Sequence, residues 1–187
     1  MLGRLTAEQR KELISKYPYL MPKNAFTGKP IEPYDYSFIV CEYCLPEGWF
    51  QLFLQFCEDI YEPLVRSDRL ADFRFTQIKE KFGRLTIYTY GASDEVHDII
   101  NKYSFLSEQV CSSCGKPASV MTYGYICPYC NKCAADYDIY VDDAEIIEIK
   151  TSYIQECRSP EGTTKTVVDC TDEWNRYLER ICYIDDE

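Results

Sequence analysis

Apolar side chains recur at helical spacing most clearly in the second quarter of this 187-residue chain. Trp49, Leu52, Phe53, Phe56, Cys57, Ile60, Tyr61 and Leu64 fall at i, i+3, i+4, i+7, i+8, i+11, i+12 and i+15, the stripe left by one buried face of an α-helix. Pro63 lacks the N–H that an inner turn needs, so the helix is predicted to end or kink there. Near the start of the chain, Thr6 and Gln9 form a capping-box pair, followed by a short stripe of Leu13, Ile14 and Tyr17. A helix over residues 7–16, stopped by Pro18, is predicted. Residues 17–36 contain four prolines and a Thr-Gly pair, a pattern for an aromatic-studded loop able to serve as a partner-binding arm.

Between residues 73 and 90 the period changes from 3.6 to two. Aromatic and β-branched residues alternate on either side of Lys81-Phe82-Gly83, which predicts an antiparallel hairpin. Ser93 then reads as the N-cap of a helix with Val96, Ile99, Ile100, Tyr103, Leu106 and Val110 on one face. Residues 144–156 and 163–170 alternate again and flank Arg158-Ser159-Pro160-Glu161-Gly162, so a second hairpin is predicted. Thr171 is read as the cap of a last helix bearing Trp174, Tyr177, Leu178 and Ile181. These elements make an α+β fold, with antiparallel strands packed on amphipathic helices. The divisions are a helix and loop over 1–45, an α+β core over 46–110, a small cysteine-rich lobe over 111–135, and a hairpin and helix over 136–187.

The cysteine-rich lobe carries the most specific chemistry. Cys111-Ser112-Ser113-Cys114, followed at once by Gly115, is a Cys-x-x-Cys turn of the kind that presents two thiolates to one ion. The second half of the site is ambiguous, because Cys127, Cys130 and Cys133 allow two pairings that share Cys130. Pairing Cys130 with Cys133 leaves fifteen residues between the two turns, within the spacing common for zinc, whereas pairing Cys127 with Cys130 leaves twelve. Cys111, Cys114, Cys130 and Cys133 are therefore the favoured ligands of a structural Zn²⁺, in a zinc-ribbon-like lobe, with Cys127 as the alternative. Four thiolates leave no position for water, which disfavours catalysis at the metal. Cys41-Glu42-Tyr43-Cys44 is a third such turn and is read as two free thiols.

Catalytic chemistry is otherwise weakly marked. His97 is the one histidine, and its place beside the apolar face of the third helix reads as an exposed residue among acids. No phosphate-cradling loop, G-x-S-x-G elbow or H-E-x-x-H motif occurs. An enzyme would have to use carboxylates that only the fold could bring together.

Charge adds direction. The formal net charge of −11 is concentrated after residue 135, where 15 Asp/Glu face 5 Lys/Arg. Such a surface repels nucleic acid and steers a basic protein partner toward it, with Asp142, Asp143, Glu145 and Glu148 as candidate contacts. Lys79, Lys81 and Arg84, with Phe75, Tyr88 and Tyr90, form the main basic and aromatic cluster. It is read first as a solvated hairpin tip and second as a nucleic-acid contact. No run approaches the roughly 18 apolar residues of a membrane span, and MLGRLTAEQRKELISK lacks the apolar core of a secretory signal. A cytoplasmic protein with reduced cysteines and no membrane contact is expected.

Three segments, PEGWFQLFLQFC, FTQIKEKFGRLTIYTYGASDEVHDIINKYSFLSEQVCSSCG and GYICPYCNKCA, together resemble an uncharacterised family of small bacterial and phage-associated proteins. Its marks are a Pro-x-Gly-Trp helix, a QxKEKFGxL hairpin and a following zinc motif. The resemblance covers roughly residues 46–134 and implies Cys130 and Cys133 as the second ligand pair. The sequence departs from the family at Tyr125, where members carry tryptophan, and in the extra Cys127. No activity comes with the resemblance. The expectation is a non-enzymatic protein-binding protein in a bacterial cytoplasm, such as a phage or mobile-element antagonist or an immunity-type inhibitor, acting through its acidic third.

Overall fold

The computed structural model describes residues 7–21, 23–24, 26–30 and 45–185. Thr6, Cys41 and Cys44 lie outside the described residues, as do residues 22, 25 and 31–36 of the proline-rich loop. Helix α1 (Ala7–Lys16) leads into a 3₁₀ turn at Pro18–Leu20, and a second 3₁₀ turn at Glu47–Trp49 opens α2 (Phe50–Arg66). Next come β1 (Arg74–Lys81), β2 (Arg84–Tyr90) and α3 (Asp94–Ser107). The cysteine-rich lobe contributes β3 (Val120–Thr122), β4 (Pro128–Tyr129) and α4 (Asn131–Asp136). The chain closes with β5 (Ala144–Ile146), β6 (Ser152–Ser159), β7 (Gly162–Asp169) and α5 (Thr171–Asp185). All strand pairs are antiparallel, in a β1-β2 hairpin, a three-stranded β4-β3-β5 sheet and a β6-β7 hairpin. The architecture is α+β with a tetra-cysteine lobe.

Helix α2 is the axis of the core because its apolar stripe finds partners on several sides. Trp49, Leu52, Phe53, Phe56, Cys57, Ile60 and Leu64 are wholly buried, packed with Tyr103 and Leu106 of α3, Leu85 of β2, and Trp174 and Tyr177 of α5. Tyr19, just after α1, enters the same cluster and donates its hydroxyl to the Cys57 carbonyl. Edge-to-face contacts of Tyr19, Phe73, Phe75, Phe56 and Tyr103, with centroids 5.2–6.1 Å apart, add to the area term. Phe75, grouped above with the basic hairpin residues, thus belongs to the core. Ion pairs complete the docking of α5: Arg176 holds Asp59 with two 2.7 Å bonds, Arg180 holds Glu58, and Lys102 of α3 reaches Glu173 at 2.6 Å.

Local capping explains the element ends. Ser93 Oγ accepts from the Val96 N–H at 3.3 Å, as its position predicts. Pro63 lies inside α2, which stops one turn later, where Ser67 Oγ donates to the Pro63 carbonyl. Phe82 and Gly83 both have positive φ, 55° and 76°, the twist a two-residue hairpin turn requires.

Two expectations are corrected. Residues 144–156 form two strands instead of one: β5 pairs with β3 of the cysteine-rich lobe, whereas β6 begins at Ser152 and pairs with β7. Between them the Lys150 N–H is taken by Gln109 Oε1 and the Cys170 N–H by the Thr151 carbonyl. Alternation alone does not show a change of partner. Thr171 is also the first residue of α5 and not its cap; the Asp169 carboxylate accepts both its N–H (2.8 Å) and its hydroxyl (2.6 Å).

Candidate metal centre

The first cysteine turn is tied off by its own backbone. The Cys111 N–H donates to the Lys116 carbonyl at 2.8 Å, and the Gly115 N–H returns to the Cys111 carbonyl at 3.0 Å. Gly115 has φ +79°, a conformation that a side chain would strain. The second turn opens α4: Cys130 is its N-cap, and its Sγ accepts from the Cys133 N–H at 3.5 Å. The Ser112 N–H and hydroxyl both donate to the Pro128 carbonyl, at 2.9 and 3.1 Å, drawing the two turns together.

This brings Cys111, Cys114, Cys130 and Cys133 into one group whose Sγ atoms all lie within 4.8 Å of one another, with Cys114 and Cys130 3.6 Å apart. Cys111, Cys130 and Cys133 are buried and Cys114 is half-buried. A group of four thiols at such spacing can hold a metal ion. Cys127 stands outside the group: its thiol donates to Ser112 Oγ at 3.2 Å and its N–H to Thr122 Oγ1 at 2.9 Å. Among the described residues, no other cluster of histidine, cysteine and carboxylate side chains has metal-binding geometry. Cys57 and Cys170 are buried in the core, and Cys157 and Cys182 are exposed.

Protonation inside the group is uneven. Burial pushes the Cys114 and Cys133 thiols up from their ordinary value. At Cys130 burial acts the same way but is outweighed by the Cys133 N–H and the neighbouring thiols, which together hold it below the usual range. A metal ion entering the group must therefore displace protons.

The first turn is also docked on the start of α2. The Gly48 N–H donates to the Ser112 carbonyl at 3.0 Å, Trp49 Nε1 to the Val110 carbonyl at 2.8 Å, and the buried Tyr177 hydroxyl to the Gly115 carbonyl. Gly48 permits this contact, since a Cβ there would sit 2.1 Å from the Cys111 carbonyl oxygen and 2.6 Å from the Gly115 nitrogen. Sequence reading assigned Gly48 and Tyr177 no role at the site. The one signal was the glycine placed directly before a core tryptophan.

The remaining predicted residues are dispersed. His97 is exposed on α3 and is not part of the cysteine group. Asp142, Asp143, Glu145 and Glu148 are exposed on and around β5. A groove of about 580 Å³ lies between β2, α3 and β6, but Glu108 is its one carboxylate and is ion-paired with Arg84 at 2.7 Å. It gathers no pair of acids for general acid–base chemistry. No helix among the described residues is long and apolar enough to cross a membrane. Comparison of the chain with protein-family models, with curated proteins and with solved structures gives no match.

Proposed function

We propose that the chain is a non-enzymatic protein-binding protein, of the antagonist or immunity type, built around a structural zinc ion and acting in a bacterial cytoplasm. Four sulfur ligands in two Cys-x-x-Cys turns favour zinc, and an ion with Zn–S bonds of about 2.3 Å would set sulfurs roughly 3.8 Å apart. The 3.6 Å between Cys114 and Cys130 fits such an ion. All four positions are then filled by protein, so the metal folds the lobe and leaves no site for a reacting water.

The observation that carries the binding role is a run of exposed, unpaired acids interleaved with exposed aromatic and aliphatic side chains. Glu58, Asp59, Glu95, Glu108, Glu156 and Glu173 are all held in ion pairs. Asp136, Asp138, Asp142, Asp143, Glu145 and Glu148 are exposed and make no ion pair among the described residues. They alternate with exposed Tyr137, Tyr140 and Ile146, the last 82% accessible. Uncompensated charge beside aromatic and aliphatic anchors supports a docking surface for a basic protein, because the charge steers encounter while the apolar groups hold the complex.

The test is affinity capture from a host extract on the zinc-loaded chain and on a variant carrying Asp142→Asn, Asp143→Asn, Glu145→Gln and Glu148→Gln. The wild type is expected to retain a basic protein that salt elutes, and the variant to lose it. Equal retention of that protein by both would overturn the reading. Elemental analysis should find one zinc per chain.

A further inference from the structure

Lys79, Glu80 and Lys81 look mutually neutralised when read in a line, but a strand sends alternate side chains to opposite faces. In the β1–β2 register Gln77 faces Tyr88, Lys79 faces Thr86 and Lys81 faces Arg84, which places these pairs on one face. Ile78 opposite Ile87, and Glu80 opposite Leu85, lie on the other. Leu85 and Ile87 are buried against the core. Glu80 accepts from the Gly83 N–H at 2.7 Å and from the Tyr125 hydroxyl at 3.4 Å. The acid is thus used inside the fold, and the lysines are left facing solvent without it.

That outer face is both cationic and aromatic. Tyr88 and Tyr90 are 45% and 56% exposed, and Phe82 at the turn is 71% exposed. Lys79 Nζ lies 5.4 Å from the Tyr88 ring centroid and Lys81 Nζ 5.5 Å from that of Phe82. Neither lysine has an ion-pair partner among the described residues. The Arg74 guanidinium lies 3.8 Å from the centroid of the Tyr90 ring. The hairpin's inner face is anchored in the core, so these rings stand on a rigid support.

We propose that the outer face of the β1–β2 hairpin binds single-stranded nucleic acid. Tyr88 and Tyr90 stack bases, and Lys79 and Lys81 contact phosphates. Two rings at alternate positions of one strand stand about 7 Å apart. The face from Tyr90 to Arg84, which lies opposite Lys81, runs roughly 20 Å, enough for a short strand of about four nucleotides. Single strands fit this surface better than duplex, because aromatic faces stack on unpaired bases and a two-lysine row is a small electrostatic footprint. The acidity of the chain does not oppose this, since residues 1–135 carry 15 Lys/Arg against 16 Asp/Glu. The inference is independent of the acidic surface above, which belongs to a different segment.

The experiment is fluorescence anisotropy of labelled DNA and RNA oligonucleotides of about 12 nucleotides, with the full zinc-loaded chain, between about 50 and 200 mM salt. Binding should weaken with salt, and Lys79→Gln and Lys81→Gln should each reduce the log–log salt slope by about 0.7. Tyr88→Ala and Tyr90→Ala should each weaken binding by at least about fivefold at constant salt, with the slope unchanged. All four positions are on the outer face, and unchanged thermal unfolding will show that the variants fold. No binding at the lowest salt overturns the proposal. So does binding that survives both tyrosine changes, or equal displacement of the oligonucleotide by polyglutamate from wild type and tyrosine variants, which would mark the face as a site for an acidic protein. Comparing DNA with RNA identifies which strand the face prefers.

Discussion

Substituting Gly48→Ala tests whether the cysteine-rich lobe and the helical core are one unit. The added methyl would meet three backbone atoms: the Cys111 carbonyl oxygen at 2.1 Å, the Gly115 nitrogen at 2.6 Å and the Ser112 carbonyl carbon at 2.9 Å. Backbone cannot swing aside as a side chain can, so the whole cysteine turn has to lift from α2. Lifting it strains the bonds from Gly48 to Ser112, Trp49 to Val110 and Tyr177 to Gly115. Overpacking of this kind costs about 1–3 kcal/mol and each lost hydrogen bond about 1 kcal/mol, so a total of roughly 4–6 kcal/mol is expected. That is a large share of the 5–15 kcal/mol typical of a folded domain.

The assay is equilibrium denaturation of the zinc-loaded protein, followed by tryptophan fluorescence and far-ultraviolet circular dichroism. The four cysteines are untouched, so zinc content should stay at one per chain while the midpoint falls. Gly124→Ala is the control. Gly124 has positive φ, +72°, which Gly48 does not, but nothing lies within 4 Å of the added carbon, so only backbone strain of about 1 kcal/mol should appear. A loss below about 1 kcal/mol for Gly48→Ala would refute the reasoning, because it would mean that the cysteine turn moves independently of α2.

Three further outcomes are expected. Cys133→Ser should lose zinc and Cys127→Ser should keep it, measured by elemental analysis; the reverse pattern would move the ligand set to Cys127. Removing zinc with a chelator should abolish amide-exchange protection over residues 111–146 and at the hairpin tip, where Gly83 packs on Met121 and Ile126, while α2 and α3 stay protected; loss throughout would show that the core cannot stand without the metal. Burial, above all, raises the pKa of Tyr19, Tyr103 and Tyr177 in the fold, so their contribution to stability is fully present below about pH 10 and is lost as pH rises beyond it, by about 1.4 kcal/mol per unit for each ring. A last part of the tyrosinate absorbance should therefore appear only together with the loss of circular dichroism above that pH, and titration of every tyrosine near pH 10 with the fold intact would contradict it.

The parts of this fold that could be read in advance are those whose cause is local. The α2 stripe, the Ser93 cap and the paired signs around Phe82-Gly83 each depend on residues within a few positions, and each appears where its pattern lies. The tetra-cysteine group was legible for the same reason, since a Cys-x-x-Cys turn is a local device and only the choice between Cys127 and Cys133 needed the fold. What stayed hidden depends on distant partners. Nothing near Ile146 says that β5 pairs with Val120 while β6 turns to Val168. Nothing near Gly48 says that Cys111 lies against it, 63 positions later.

Charge shows the same limit from the other side. In the linear sequence Glu80 cancels its neighbouring lysines, and the C-terminal third is uniformly acidic. Strand geometry reverses the first statement by sending Glu80 and the lysines to opposite faces. Helix docking divides the second: Glu173 of α5 is held by Lys102 of α3, whereas the stretch around β5 has no such partners among the described residues. The charges that the fold leaves unpaired thus include those on the hairpin's outer face and along β5. Both places touch the cysteine-rich lobe, the first through Gly83 against Met121 and Ile126, and the second through β5 paired with β3. The tetra-cysteine group borders both places, so a metal ion held by its four thiols would steady the hairpin tip and β5 together.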